Sequence, residues 1–154
     1  MNLNDRCAQY ERATIELLEL ASRVDPADLD RHVEGGWSAR QVVHHLADAE
    51  TNAYVRLRRL LAEPPGTLIQ GYDERAWSEC ATLGYTALPI ESALAVFAAV
   101  RRASLDVLGR LEESDLARSG RHSESGHYTL EHWIDIYTRH PREHAAQLLE
   151  AINA

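Results

Sequence analysis

The sequence predicts an all-α, antiparallel four-helix bundle with long connections between its helices. Three observations predict it. Four segments of roughly 20 residues carry apolar side chains at three- and four-residue spacing. No alternating strand pattern persists beyond three or four residues, and two long Gly-, Pro- or polar-rich stretches separate the helical segments. Residues 1–154 read as a single domain. No internal repeat, low-complexity tract or interdomain linker divides them, and a chain of this size builds one real core rather than two.

The first helix is predicted from about Asp5 to Val24, with Tyr10, Ile15, Leu17, Leu18 and Ala21 on its apolar side. Asp25-Pro26 stops it, because proline restricts the residue before it away from helical geometry. A turn of helix at Ala27–His32 and the breaker Gly35-Gly36 follow. Ser38 with Gln41 fits a capping box, so the second helix starts there and runs to about Ala62, where Glu63-Pro64-Pro65-Gly66 ends it. Its inward stripe is Val42, Leu46, Ala49, Ala53, Leu57 and Leu60. Residues 64–88 form a connection long enough to suggest a functional loop, with a short helix at Asp73–Glu79 carrying Trp77 inward. Pro89 suits the first turn of a third helix that runs to about Leu111, with Leu94, Phe97, Ala98, Leu105 and Leu108 inward. Residues 112–128 read as irregular, and a cap at or just before Thr129 opens a fourth helix over roughly 130–152.

Charge and composition narrow the partners. The formal charge is −8, and every one of the 16 basic residues is an arginine. A nucleic-acid binder needs a basic surface to displace counterions from phosphates, so no nucleic-acid partner is expected. Arg56, Arg58 and Arg59 do cluster, and the plain reading of them is a solvated helix face. No apolar run approaches the roughly 20 residues that cross a bilayer, and the N-terminal segment has no export signature. Cys7 and Cys80 are the only cysteines, which fits reduced thiols in the cytoplasm better than a disulfide framework.

The histidines carry the chemistry. In the fourth helix the inward stripe reads Trp133, Tyr137, His140, His144, Leu148, so two imidazoles four residues apart share one face. Such a pair can reach one metal ion together. His45 lies on the stripe of the second helix and can supply a third nitrogen from across the bundle. Three imidazoles suit zinc first, with nickel or iron(II) next, and leave coordination positions open for water or substrate. The competing reading is a set of hydrogen-bonded core histidines, and spacing leaves both open. His44 points to the flank of its helix, while His32, His122, His127 and His132 fall in loops or near helix ends and are expected to be solvated. His140-Pro-Arg-Glu-His144 also matches the HxxEH pattern of inverzincins, but only ten residues follow in which to find their downstream ligand; Glu143 therefore reads as a surface residue. Pro141 sits inside the helix and is expected to bend it.

Several segments together resemble the DinB-like superfamily and, within it, the YfiT-like branch of metal-dependent hydrolases. They are Gly36-Trp37-Ser38 leading to His45-Leu-Ala-Asp48, Asn52-Ala-Tyr54-Val-Arg56, Gly71-Tyr72-Asp73-Glu74 with Trp77, and Tyr137 through His140 to His144-Ala-Ala-Gln147-Leu148. The resemblance covers roughly residues 30–150. It implies a four-helix bundle, frequently a homodimer, with one divalent ion held by His45, His140 and His144. It also implies that some relatives use the metal to activate a low-molecular-weight thiol.

Three functions follow. The first is a metal-dependent hydrolase of a small-molecule substrate, with Asp48, one turn from His45, as the catalytic carboxylate that orients water or a ligand imidazole. The second is a thiol S-transferase in which the ion stabilises a thiolate. The third is a non-catalytic metal-binding stress-response protein, which predicts no pocket lined by residues 70–80. Asp48 has a plainer reading as an ion-pair partner of Arg56 or another arginine. Tyr72, Asp73 and Trp77 read equally as a lid over the metal or as packing that pins the loop.

Overall fold

The computed structural model describes all 154 residues. Four long helices make the bundle: α1 (Leu3–Ser22), α2 (Ala39–Ala62), α4 (Glu91–Leu108) and α5 (Leu130–Ile152). A short helix α3 (Glu74–Glu79) and a small sheet of β1 (Thr67–Ile69), β2 (Ser119–His122) and β3 (Gly126–Thr129) lie in the connections. α2 begins as its sequence dictates: Ser38 Oγ accepts the Gln41 backbone N–H at 3.2 Å while Gln41 Oε1 accepts that of Ser38 at 3.0 Å. Thr129 caps α5 by accepting the His132 N–H.

α1 packs on α4 and α5, and α2 packs on the same two, so the order around the bundle is α1–α4–α2–α5. Cross-helix contacts give the directions. Arg6 pairs with Glu131 and Asp135, and Glu16 pairs with Arg142, so α1 and α5 run parallel. His45 meets His140 while Ala53 accepts from Trp133, so α2 and α5 run antiparallel. Residues 63–90 therefore carry the chain from the end of α2 back along the bundle before α4 begins.

The stripe expected on α2 is the one observed. Elsewhere the inward faces differ. On α1 Tyr10, Leu17 and Ala21 are buried as expected and joined by Leu3 and Ala13, whereas Ile15 is 49% exposed and Leu18 lies on the flank. α4 turns Ala93, Phe97, Arg101, Ser104 and Leu108 inward, with Leu94, Ala98 and Leu105 on the flank. An arginine interrupts that face, which is why apolar spacing alone pointed to its neighbours.

Arg101 divides the core into two apolar clusters. One surrounds Tyr10, Leu57, Trp133 and Leu108, and the other surrounds Leu17, Val42, Leu46 and Phe97. Its guanidinium pairs with buried Glu50 at 2.9 Å and donates to Thr14 Oγ1 and to the carbonyls of Tyr10 and Tyr137. It also lies 3.6 Å over the Tyr10 ring. One arginine thereby ties all four long helices together. The Tyr137 carbonyl needs it for a local reason. Pro141 has no N–H, so the helical bond to Tyr137, four residues back, cannot form, and Arg101 supplies the missing donor. Helix α5 thus continues through Pro141 rather than ending there.

Residues 112–128, read as irregular, hold a 3₁₀ turn (Glu113–Ala117) and the β2–β3 hairpin. β1 pairs parallel with β2, bringing Ile69 beside His122. Gly120 permits this approach, since a Cβ there would lie 2.7 Å from the Thr67 carbonyl oxygen. The strands are only three or four residues long, too short to show a period, and the parallel pairing joins segments far apart in sequence.

Candidate metal centre

His45 projects from the second turn of α2, and His140 and His144 from successive turns of α5. His45 is 1% exposed. One nitrogen from each of the three imidazoles lies within 4.8 Å of the others. His140 Nε2 is 3.3 Å from His45 Nε2 and 3.1 Å from His144 Nε2. Burial holds His45 down at about 4, with the neighbouring His144 adding to it. His140 falls further, to about 2, chiefly by burial and then by the charges of His144, His45 and nearby arginines. Burial lowers His144 as well, partly offset by Gln147. All three rings are neutral at pH 7, the form that ligates metal.

The outer nitrogens complete the description. His144 Nδ1 donates to Gln147 Oε1 at 2.7 Å, which puts the proton on Nδ1 and aims the Nε2 lone pair at the other two rings. The Nδ1 atoms of His45 and His140 are buried without a partner, and packing holds those rings instead. Trp37 lies 5.0 Å from His45, and Tyr137 meets His140 edge-on at 6.2 Å.

A divalent ion fits this donor set. A tetrahedral site with nitrogen bonds of about 2.05 Å has ligand atoms roughly 3.3 Å apart, close to the two separations from His140. Hydrogen bonding among the rings does not satisfy them equally well. The single Nε2 site of His140, whether it carries a proton or a lone pair, serves one neighbour, yet it faces two at short range.

The other site residues divide. Asp48 Oδ2 accepts the Tyr85 hydroxyl at 2.5 Å, and neither Arg56 nor a ligand imidazole is its partner. Burial, then this bond, raises the Tyr85 phenol well above its ordinary range. Arg56 is half-buried rather than on a solvated face, and donates to the Tyr137 hydroxyl at 2.8 Å and to the Gln70 carbonyl at 2.9 Å. His122 is buried, not solvated, and its Nδ1 accepts the backbone N–H groups of Glu124 and Ser125. His44 is half-buried on the flank of its helix and bonds the Leu88 carbonyl. Glu143 is exposed and pairs with Arg139.

Asp73 caps α3, which half-buries Trp77 against Tyr72 at 4.6 Å. Tyr72 and Glu74 line a cavity of about 180 Å³ that reaches His140, so residues 70–80 do bound a pocket beside the imidazoles. In the sequence, Glu74 and Gln147 stand out only within the segments that carry the family resemblance. Gln147, three residues after His144, was legible as a helical hydrogen-bond partner. Glu74 has no comparable signal, because only the fold of the long connection brings it to the site.

Comparison with known proteins agrees with this geometry. The model of the DinB superfamily matches residues 9–148. The chain belongs to the DinB superfamily. A DinB-type relative from Oceanobacillus iheyensis, named "putative metal-dependent hydrolase", is 38% identical over 114 residues, which span 74% of this chain and 64% of that one. One of the same name from Bacillus mycoides is 34% identical over 86% of this chain and 75% of its own. Among solved structures, YfiT from Bacillus subtilis superposes with a TM-score of 0.86 at 28% identity, covering 97% of this chain and 85% of YfiT. It is described as "a probable metal-dependent hydrolase with an unusual four-helix bundle topology". In this DinB member the long helices follow the order α1–α4–α2–α5, with α1 and α5 parallel.

Proposed function

We propose that His45, His140 and His144 hold one divalent ion and that the protein is a metal-dependent hydrolase of a small molecule. The observation that carries this reading is the convergence of three neutral imidazole nitrogens on one point, with short Nε2 separations on both sides of His140. The names borne by its relatives support it. Zinc is the ion the donor set favours, with nickel and iron(II) accepted by the same nitrogens. When bound, the ion supplies Lewis acidity, which polarises a carbonyl and activates water at neutral pH.

The chain's own residues do the rest. Gln147 fixes the His144 tautomer. Trp37 and Tyr137 restrict the other two rings. Asp48, its Oδ2 held by Tyr85, is assigned proton handling, and Glu74 on the cavity wall is the second carboxylate suited to it. The purified protein should carry about one equivalent of metal per chain, and His140→Ala should carry almost none. Metal-stripped protein should lose hydrolysis of an ester and amide panel and regain it with zinc. Absence of stoichiometric metal in the wild type overturns the reading. Asp48→Asn or Glu74→Gln, whichever lowers kcat about 100-fold or more with metal retained, identifies the proton acceptor.

S-transfer to a low-molecular-weight thiol is the second reading. No carboxylate is hydrogen-bonded to the imidazole cluster, and a thiolate on the same open positions needs no base to activate water. Turnover of an electrophile that requires added thiol would favour it. The cavity at residues 70–80 counts against a purely storage role. A homodimer belongs to this proposal through exposed Leu83, Leu88 and Val96, which rim a groove between α2 and α4, and sedimentation tests it. No helix is long and apolar enough to cross a membrane. A cytoplasmic location is proposed on the free thiols Cys7 and Cys80.

A further inference from the structure

The cavity of about 180 Å³ beside His140 is smaller than the roughly 300–1,000 Å³ that encloses a drug-sized ligand, so it suits a group of a few heavy atoms. Its walls are unusually rich in unmet polar demand. The Arg56 guanidinium, anchored by Tyr137 and Gln70, has no carboxylate partner, and its Nε–H is buried without an acceptor. The Tyr72 hydroxyl is also buried without a partner. A half-buried guanidinium lacking an anion is costly, and the missing anion is the natural occupant.

Glu74 and Glu124 line the same space, and neither is paired with a cation. Gly71 admits Glu124 there: a Cβ at Gly71 would lie 2.9 Å from the Glu124 carboxylate. Two unpaired carboxylates oppose a compact polyanion such as phosphate and favour a group that brings its own positive charge.

We propose that this cavity binds the non-reacting end of the substrate, and that this end is a zwitterion of the amino-acid type. Its carboxylate meets Arg56 and the Tyr72 hydroxyl, and its ammonium meets Glu124, which leaves Glu74 free as the candidate proton acceptor. The proposal rests on the metal reading above, because the reacting bond then extends from this head group toward the imidazoles. It assigns Arg56 and Tyr72 as specificity residues and names the substrate class as derivatives of amino acids or short peptides.

Calorimetry on the zinc-loaded protein tests it with three hydroxamates that share a metal-binding group. Acetohydroxamate has no head group, succinate monohydroxamate adds a carboxylate, and L-glutamate γ-hydroxamate adds the zwitterion. The glutamate compound should bind about tenfold or more tighter than acetohydroxamate, the scale of a charge-assisted hydrogen bond. Arg56→Gln should abolish that advantage while acetohydroxamate keeps its affinity, which also shows that the variant is folded. Tyr72→Phe removes a hydroxyl that has no partner in the protein, so it should reduce the advantage several-fold without loss of stability. Equal binding of acetohydroxamate and the glutamate compound overturns the proposal while leaving the metal reading intact. Succinate monohydroxamate binding as tightly as the glutamate compound overturns the zwitterionic assignment. Failure of the protein to take up stoichiometric zinc removes the metal reading and this proposal with it.

Discussion

Arg101→Met is expected to be the most damaging single substitution outside the imidazole site. Its four acceptors are the Glu50 carboxylate at 2.9 Å, the Tyr10 carbonyl at 2.9 Å, the Tyr137 carbonyl at 2.5 Å and the Thr14 hydroxyl at 2.8 Å. Both side chains of the ion pair are essentially inaccessible to solvent. Breaking such a pair from one side costs about 3–5 kcal/mol, because the remaining charge is left without a partner. The orphaned Tyr137 carbonyl adds about 1–3 kcal/mol, since Pro141 cannot replace the donor. Burial already raises the Glu50 pKa, so protonation of the stranded carboxylate limits the sum. A net loss of about 4 kcal/mol is expected, a large share of the roughly 5–15 kcal/mol that holds a domain together. With a urea slope near 2 kcal/mol/M, the unfolding midpoint should fall by about 2 M. The double variant Glu50→Met/Arg101→Met removes both charges and should recover more than half of the loss. A shift below about 0.5 M for the single variant, or a double variant no more stable than it, would refute the reasoning.

Three further outcomes are expected. The metal-free protein should lose stability as pH falls from about 6.5 toward 4: the imidazoles titrate near 6.5 when unfolded, whereas His45 is held at about 4 and His140 at about 2, so acid protonates the unfolded chain first. Urea midpoints against pH check this, and His140→Phe should flatten the slope. Gln147→Leu frees the His144 ring and should weaken zinc binding about 10–100-fold in a chelator competition, with the circular dichroism spectrum unchanged. Ser38→Ala removes one half of the α2 capping box and should cost about 1 kcal/mol in chemical denaturation, without altering metal stoichiometry.

Much of the site was readable before any coordinates. His140 and His144 announce themselves because four residues on a helix return a side chain to the same face, and that rule needs only local geometry. His45 follows from the uninterrupted stripe of α2, where each apolar position tells which side is inward. The α4 stripe misled for the converse reason. Arg101 is charged, so periodicity assigns it to solvent, and only the presence of Glu50 and the Tyr137 carbonyl makes its burial tolerable. Arg56 was placed on the surface by the same rule and is turned inward by Tyr137, remote in sequence, while His122, read as a loop residue, is buried where β2 pairs with the distant β1.

Sequence alone determined the helices, their caps and the imidazole faces, since each is a matter of backbone propensity and spacing within a few residues. Tertiary structure decided the order α1–α4–α2–α5, the short sheet and the placement of Glu74, Glu124 and Tyr72 beside His140. Those depend on residues tens of positions apart. Their contacts form only once loop-closure entropy has been overcome by burial of the whole core, and no local pattern records that balance.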